Sequence, residues 1–228
     1  MPTYNEIEVL AENVTRLFEH QPQLQLVIID DNSPDGTGQL ADQLAAADGR
    51  VHVIHRSSKA GLGKAYAQGF KYALEHGFDR VIQMDADGSH QASDLRKLLA
   101  SDAELVIGSR WVSGGEVLNW PGHRLFISRL GNAYARFAIG SKLKDVTAGY
   151  RNYSAKLLAK LPIEQIEARG YGFQVEMTKR ALELGANVVE VPISFVERVG
   201  GRSKMTWGII IEAFSLCTKW LFERLFRR

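Results

Sequence analysis

Short runs rich in Val and Ile alternate along this chain with longer stretches of helical period, and that alternation constrains the fold more than any other feature. Residues 24–29, 51–54, 80–84 and 104–107 are nearly continuous apolar runs closed by turn residues, the pattern of strands buried on both faces. Residues 37–47 and 62–76 carry the helical period. In the second of these, Leu62, Ala65, Tyr66, Gly69, Phe70, Ala73 and Leu74 share one face, and Gly77 follows as a C-cap. Strands and helices in this order predict an α/β fold, a largely parallel sheet covered on both sides. Such sheets bind ligands beyond the carboxyl ends of their strands, so the residues just after each strand are the candidate functional positions.

Those strand ends are polar and acidic. The first run leads into Asp30-Asp31-Asn32-Ser33-Pro34-Asp35-Gly36, the third into Asp85-Ala86-Asp87-Gly88 and the fourth into Gly108-Ser109-Arg110. In extended backbone residues i and i+2 point to the same side, so Asp85 and Asp87 can converge on one cation. Two hard oxygen donors with no nearby His or Cys ligand suit Mg²⁺ or Mn²⁺. An isolated Asp-x-Asp more often solvates a strand end; its place at the mouth of a parallel sheet, beside a second acidic strand end, favours the metal. A carboxylate in Asp30-Asp31 can accept from a nucleobase or a ribose hydroxyl. The residues after it are turn formers, with Asp35 placed to cap a helix. Lys59-Ala60-Gly61-Leu62-Gly63-Lys64 lacks the spacing of a phosphate-binding P-loop and reads as a glycine turn into a helix. His90, three residues beyond Asp87, reads as a polar loop histidine.

Composition narrows the classes further. The 228 residues suit one α/β domain, and no repeat or long linker forces a split. A formal charge of +2 argues against a nucleic-acid partner. The lone Cys217 excludes an internal disulfide and any Cys-rich zinc site, and fits a reducing compartment. The polar start at Met1 to Glu6 shows no signal peptide. The longest apolar stretch, residues 205–218, is interrupted by Glu212 and is shorter than the ~20 residues of a membrane-spanning helix. From Met205 onward Trp207, Ile210, Phe214, Cys217, Leu221 and Leu225 fall along one helical face, with Glu212, Lys219, Glu223 and Arg227 opposite. Such a helix lies in a membrane interface or docks on its own domain or a partner chain; both placements stand open.

The ordered set of motifs resembles the family 2 glycosyltransferases, most closely the polyprenol-phosphate (dolichol-phosphate) mannose synthases. It comprises Pro2-Thr3-Tyr4-Asn5-Glu6, Asp30 through Thr37, Gly61-Leu62-Gly63 with Ala65-Tyr66, Met84 through His90, Gly108-Ser109-Arg110 and Trp120 with Arg124 and Ser128. It continues through Asp145-Val146-Thr147-Ala148-Gly149-Tyr150-Arg151, Gly170 through Glu176, and Val191 through Arg198 with Ser203-Lys204. The set spans nearly the whole chain.

The resemblance implies a GT-A-type fold over residues 1–204 followed by an amphipathic interfacial helix over 205–228. It implies inverting transfer of mannose from GDP-mannose to a polyprenyl monophosphate. Other expectations are a transfer of glucose or another hexose from a different nucleotide sugar, and a non-catalytic nucleotide-sugar binding subunit. Carried over residue by residue, Pro2, Tyr4, Glu6, Ile29 and Asp31 would line the nucleoside pocket. Asp85 and Asp87 would hold Mg²⁺ or Mn²⁺, with the Ala86 backbone nearby and Ser89 completing the metal site. Arg110, Arg198 and Lys204 would contact the donor's phosphates, and Arg124 and Ser128 the lipid phosphate. The expected setting is the cytoplasmic face of a membrane, bound peripherally or through an anchoring partner. Three features depart from the family pattern. Met1 stands where an apolar strand normally precedes Pro2, so the first central strand is expected to be missing; Ala92 replaces a frequent proline; and the C-terminal spanning helices of many relatives are lacking.

Overall fold

The computed structural model describes residues 1–166, 168, 170, 172–197 and 207–226. In chain order the elements are β1 (Pro2–Thr3), α1 (Leu10–His20), β2 (Leu26–Asp30), α2 (Thr37–Ala47), β3 (Val51–His55), α3 (Leu62–Glu75), β4 (Arg80–Gln83), α4 (Leu95–Leu99) and β5 (Leu105–Ser109). They continue as β6 (Glu116–Leu118), α5 (Gly122–Ile139), β7 (Arg151–Ser154), α6 (Ala155–Lys160), α7 (Gly172–Glu183), β8 (Val188–Pro192), β9 (Ser194–Val196) and α8 (Trp207–Phe226). Each expected strand and helix is present, with ends moved by a residue or two.

β1, β2 and β3 pair in that order, all parallel, with Pro2 opposite Ile29 and Leu26 opposite Val51. A second sheet has the order β4-β7-β5-β8, and β6 pairs with β9. Parallel pairs predominate, as expected; β7 is the exception, running antiparallel between β4 and β5. Where the first central strand was expected to be missing, Pro2–Thr3 forms a short one. The Met1 amino group donates to Val27 O at 2.8 Å, and Ile29 N donates to Met1 O at 3.0 Å. The Met1 side chain is buried with Met84 and Ala86 in the core.

β5 shows how the layers close. Val106 faces a core built from Leu10, Val14 and Leu17 of α1 with Leu95 and Leu98 of α4. Leu105 and Ile107 face the opposite core, filled by Tyr66 and Phe70 of α3, Leu157 and Leu158 of α6, and Phe173 and Met177 of α7. That is the two-residue period of a strand covered on both sides. Fully burying side chains of this size contributes about 1.5–3 kcal/mol each.

β7 is central yet polar. The buried Arg151 guanidinium donates to Ala148 O at 2.7 Å and Val146 O at 2.9 Å. Asn152 donates to Leu98 O at 2.9 Å and accepts from Arg80 at 3.1 Å. These bonds repay the desolvation of groups that would otherwise be costly inside a sheet.

A third cluster joins Ala135 and Ala138 of α5, Val175 of α7, and Cys217 and Trp220 of α8. The C-terminal helix therefore docks on the domain through one side. Its other side leaves Ile210, Ile211, Phe214, Phe222, Leu225 and Phe226 exposed. The apolar stripe read from the sequence splits accordingly: Cys217 goes inward while Phe214 and Leu225 stay outside.

Candidate active site

The turn after β4 carries Asp85, Ala86 and Asp87, and neighbouring elements pin it on three sides. Asp85 Oδ1 accepts from the Tyr66 hydroxyl of α3 at 2.7 Å. Ala86 O accepts from Asn13 of α1 at 2.7 Å. Asp87 Oδ1 accepts from Ser89 N at 3.1 Å, across Gly88 in the left-handed conformation. Burial pushes the Tyr66 phenol well above its usual range, and the charges of Asp85 and then Asp87 push it the same way. Asp85 is thus bonded to the Tyr66 hydroxyl, and Asp87 lies within its electrostatic reach. Among the described residues no group of three or more His, Cys, Asp or Glu forms a metal cage. Two carboxylates on a rigid turn still fit Mg²⁺ or Mn²⁺, which commonly take one or two protein oxygens and complete their shell with phosphates and water.

His90 is buried, contrary to the expectation of a polar loop residue. Its ring stacks on Tyr150 at 4.9 Å, and Nδ1 accepts from the backbone N of Asp85 at 3.1 Å. The proton of the neutral ring therefore sits on Nε2. Burial lowers its pKa against the opposing pull of Asp85 and Asp87, so the ring is held neutral. It orients the Asp85 backbone.

At the end of β2 stand two carboxylates with different partners. Asp30 is structural: it accepts from Thr3 Oγ1 at 3.2 Å and from Ser33 N at 3.0 Å. Asp31 lies beyond the strand, paired with the Arg56 guanidinium. Burial raises the Asp31 pKa and Arg56 opposes the shift. Tyr4 carries the Lys59 ammonium 3.9 Å above its ring. Lys59, Ala60, Gly61 and Lys64 line a basic cleft of about 400 Å³ there. Glu6 is buried, with its backbone N bonded to Thr37 Oγ1 at 2.9 Å. Pro2 is half-buried beside Ile29. Ile29 is buried, with its side chain packed against Gly69 of α3. A Cβ added at Gly69 would lie 2.9 Å from Ile29 Cδ1. Asp35 caps α2 as expected, accepting from Thr37 N at 3.0 Å.

The cationic side gathers on a residue that the sequence pattern did not single out. Phe195 of β9 meets the His90 ring edge-on at 5.4 Å, the Trp120 ring at 5.5 Å and the Arg110 guanidinium at 5.5 Å. Arg124 lies over Trp120 at 4.1 Å and is ion-paired with Glu197. Ser128 follows Arg124 one turn later on α5 and is half-buried. Arg110 is held tightly. Its Nε and Nη2 donate to Asp145 at 2.7 and 2.9 Å, and Nη2 also donates to Thr147 at 2.8 Å. Burial alone would raise the Asp145 pKa, but the Arg110 charge and hydrogen bonds hold it below the usual carboxylate range. Arg198 and Lys204 lie outside the described residues.

A mixed α/β sheet with a carboxylate pair at one strand end, a second acidic strand end and a cluster of arginines is the frame of a glycosyltransferase, and the family model for glycosyl transferase family 2 matches residues 1–161. The chain belongs to that family. It is 51% identical over 222 residues to an undecaprenyl-phosphate mannosyltransferase of Micrococcus luteus, covering 96% of this chain and 91% of that protein. It is 49% identical over 224 residues to a polyprenol monophosphomannose synthase of Mycolicibacterium smegmatis, covering 96% and 84%. Among solved structures, glucosyl-3-phosphoglycerate synthase from Mycobacterium tuberculosis with Mn²⁺, uridine diphosphate and phosphoglyceric acid superposes with a TM-score of 0.70 at 17% identity. The match covers 96% of this chain and 76% of that one. The same enzyme with Mg²⁺ and uridine diphosphate gives 0.65 at 20% identity, covering 95% and 77%. At those identities the likeness establishes the fold.

Proposed function

We propose that this chain transfers mannose from GDP-mannose to a polyprenyl monophosphate, with inversion, at the cytoplasmic face of a membrane. The observation that carries the reading is the convergence on Phe195. That ring touches the histidine that holds the Asp85 turn, the guanidinium of Arg110 and the indole beneath Arg124, so a metal-ready carboxylate pair and two cations frame one space. The two mannosyl-transferring relatives named above favour mannose and a polyprenyl acceptor.

In this reading Asp31, Tyr4, Glu6 and Pro2 hold the nucleoside, and Asp85 and Asp87 hold Mg²⁺ or Mn²⁺. The metal would neutralise charge on the departing diphosphate. Arg110, with Arg198 and Lys204, would bind donor phosphate, while Arg124 and Ser128 would bind acceptor phosphate. Ser89 supports the metal side through its backbone hold on Asp87. The acceptor has a second pKa near ~6 and is substantially dianionic at neutral pH, so it needs no general base. The neutral, buried His90 fits that chemistry.

The exposed apolar side chains of α8 continue onto α5. Tyr134 stacks on Phe214 at 4.8 Å, and Arg224 lies over Phe137 at 5.4 Å. Phe126, Ile127, Leu130 and Phe137 are exposed on α5. A face of this kind on two adjacent helices suits a membrane surface. No described helix is long and apolar enough to cross a membrane.

The test is incubation with labelled GDP-mannose or UDP-glucose and a polyprenyl phosphate, with and without Mn²⁺. Metal-dependent label from GDP-mannose in the organic extract is expected, and Asp87→Ala should abolish it. Label from UDP-glucose alone would move the assignment to a glucosyltransferase. No label from any nucleotide sugar, with binding retained, would leave a non-catalytic binding subunit. Unchanged transfer by Asp87→Ala would refute the metal role.

A further inference from the structure

Beside Trp111 lies a cleft that shares Arg110 with the proposed donor site and otherwise is lined by residues the transfer reaction leaves unassigned. It measures about 610 Å³ and is walled by the loop from Arg110 to Gly115, by Arg129, Asn132, Ala133 and Arg136 of α5, and by Lys144. Among the described residues no carboxylate lines it. The nearest acidic groups are engaged elsewhere: Asp145 holds Arg110, and Glu190 accepts from the backbone N of Lys144 and of Asp145 at 2.6 and 2.8 Å. Among the described residues Arg129, Arg136 and Lys144 have no ion-pair partner. Arg129 instead lies over the Trp111 ring at 4.9 Å.

Two N–H groups in this wall are buried without an acceptor, Trp111 Nε1 and Arg136 Nε. Buried donors are nearly always satisfied, so two unsatisfied ones on residues of one cationic cleft fit an anionic ligand toward which these side chains turn. The wall is also firmly shaped. Gly114 is in the left-handed conformation, and a Cβ at Gly115 would lie 2.5 Å from Ser109 O, an approach only glycine permits.

The surroundings specify the rest of the ligand. Phe126, Leu130 and Phe137 leave α5 about 60–100° around the helix from Arg129 and are exposed at 67%, 60% and 61%. An apolar ridge thus runs beside a cationic cleft. Ser128, assigned above to the acceptor phosphate, leaves the helix about 100° to the other side of Arg129.

We propose that this cleft binds the phosphate headgroup of an anionic phospholipid, with the acyl chains lying along Phe126, Leu130 and Phe137. It is a second phosphate site, separate from Arg124 and Ser128. It would hold the domain on an anionic bilayer in one orientation.

The test uses the full chain without nucleotide sugar or polyprenyl phosphate, so its outcome does not depend on the transfer reaction. Partitioning is measured onto phosphatidylcholine vesicles with and without phosphatidylglycerol, after thermal melts confirm that each variant folds. Preference for phosphatidylglycerol is expected, and it should fall about 10–100-fold in R129Q/R136Q/K144Q. The decisive variant is Trp111→Phe, which changes no charge and removes one buried donor; the preference should fall about tenfold. Lys156→Gln/Lys160→Gln, on α6, should leave it unchanged. If Trp111→Phe partitions like the wild type, or the α6 variant loses as much as the α5 variant, the attraction is diffuse and the site is overturned. Glycerol phosphate is the soluble arm. If it binds as tightly as the vesicles do, the lipid assignment falls; weak competition supports it.

Discussion

The buried pair of Arg110 and Asp145 offers the sharpest single test of how the site is held. Asp145 has no exposed surface and Arg110 is 7% exposed. The carboxylate accepts from the Arg110 backbone N at 3.1 Å, from two guanidinium nitrogens, and from Thr147 Oγ1 at 3.0 Å. Asp145→Asn keeps the shape and one acceptor oxygen but removes the carboxylate charge that the guanidinium binds. Breaking a buried pair in this way costs about 3–5 kcal/mol, and the retained oxygen places the variant near ~3. For a chain of this size each kcal/mol moves Tm by about 2–4 °C, so a fall of about 6–12 °C is expected in a thermal melt at pH 7. The pH dependence supplies a second check. The folded pKa of Asp145 lies below its unfolded value, so the pair's contribution is fully present above an unfolded pKa of about 3.9. It is lost as pH falls through the folded value. The gap in urea midpoint between wild type and variant should therefore be equal at neutral and mildly acidic pH and shrink below about 4. A variant melting within ~2 °C of wild type at pH 7 would refute the argument, since neutralising one member of a buried ion pair cannot be that cheap.

Three further outcomes follow from other contacts. Tyr66→Phe removes the bond to Asp85 Oδ1; metal-dependent transfer should fall about tenfold with the Mn²⁺ requirement raised, and an unchanged Mn²⁺ titration would show that Tyr66 does not position the carboxylate. Glu197→Gln releases Arg124 from a partly exposed ion pair; the acceptor KM should fall by up to about fivefold with the donor KM unmoved, and a raised acceptor KM would contradict the assigned role. Replacing Phe214, Phe222 and Leu225 with Ser leaves the docked side of α8 intact; flotation with neutral vesicles should drop sharply while Tm stays within a few degrees, and unaltered flotation would place the membrane contact elsewhere.

Much of this was legible in the sequence because the relevant signals were local. Continuous Val and Ile runs marked β2 to β5, and residue spacing put Asp85 and Asp87 on one strand end. β7 escaped because its residues, Arg151, Asn152, Tyr153 and Ser154, carry no apolar pattern; their burial depends on acceptors at Ala148, Val146 and Leu98 that only the fold assembles. Phe195 escaped for a related reason. An aromatic residue in a short strand is usually core, and its link to His90, Trp120 and Arg110 joins segments about a hundred residues apart. Arg56 offered no motif, yet it sets the charge environment of Asp31. The family resemblance alone places Ile29 at the nucleoside pocket; what the fold adds is that its side chain packs against Gly69 of α3.

The first turns of α5 explain how one short segment can serve both a charged reaction and an apolar tail. Arg124 and Ser128 are one turn apart and share a face, and Arg124 reaches the Trp120 and Phe195 cluster from it. Phe126 lies two residues from each, so it leaves the helix about 160–200° away, on the exposed face with Leu130. If Arg124 and Ser128 hold the lipid phosphate as proposed, its chain needs only to pass around a helix of about 10–12 Å diameter to enter the bilayer that the apolar ridge faces. A helix with this face reversed, polar outside and apolar inside, would bind a soluble acceptor equally well. The arrangement found here gains nothing from a soluble acceptor, because exposed Phe126, Ile127 and Leu130 lower solubility and stabilise nothing within the domain. The geometry of α5 therefore argues for an amphiphilic acceptor independently of the mannosyltransferase relatives.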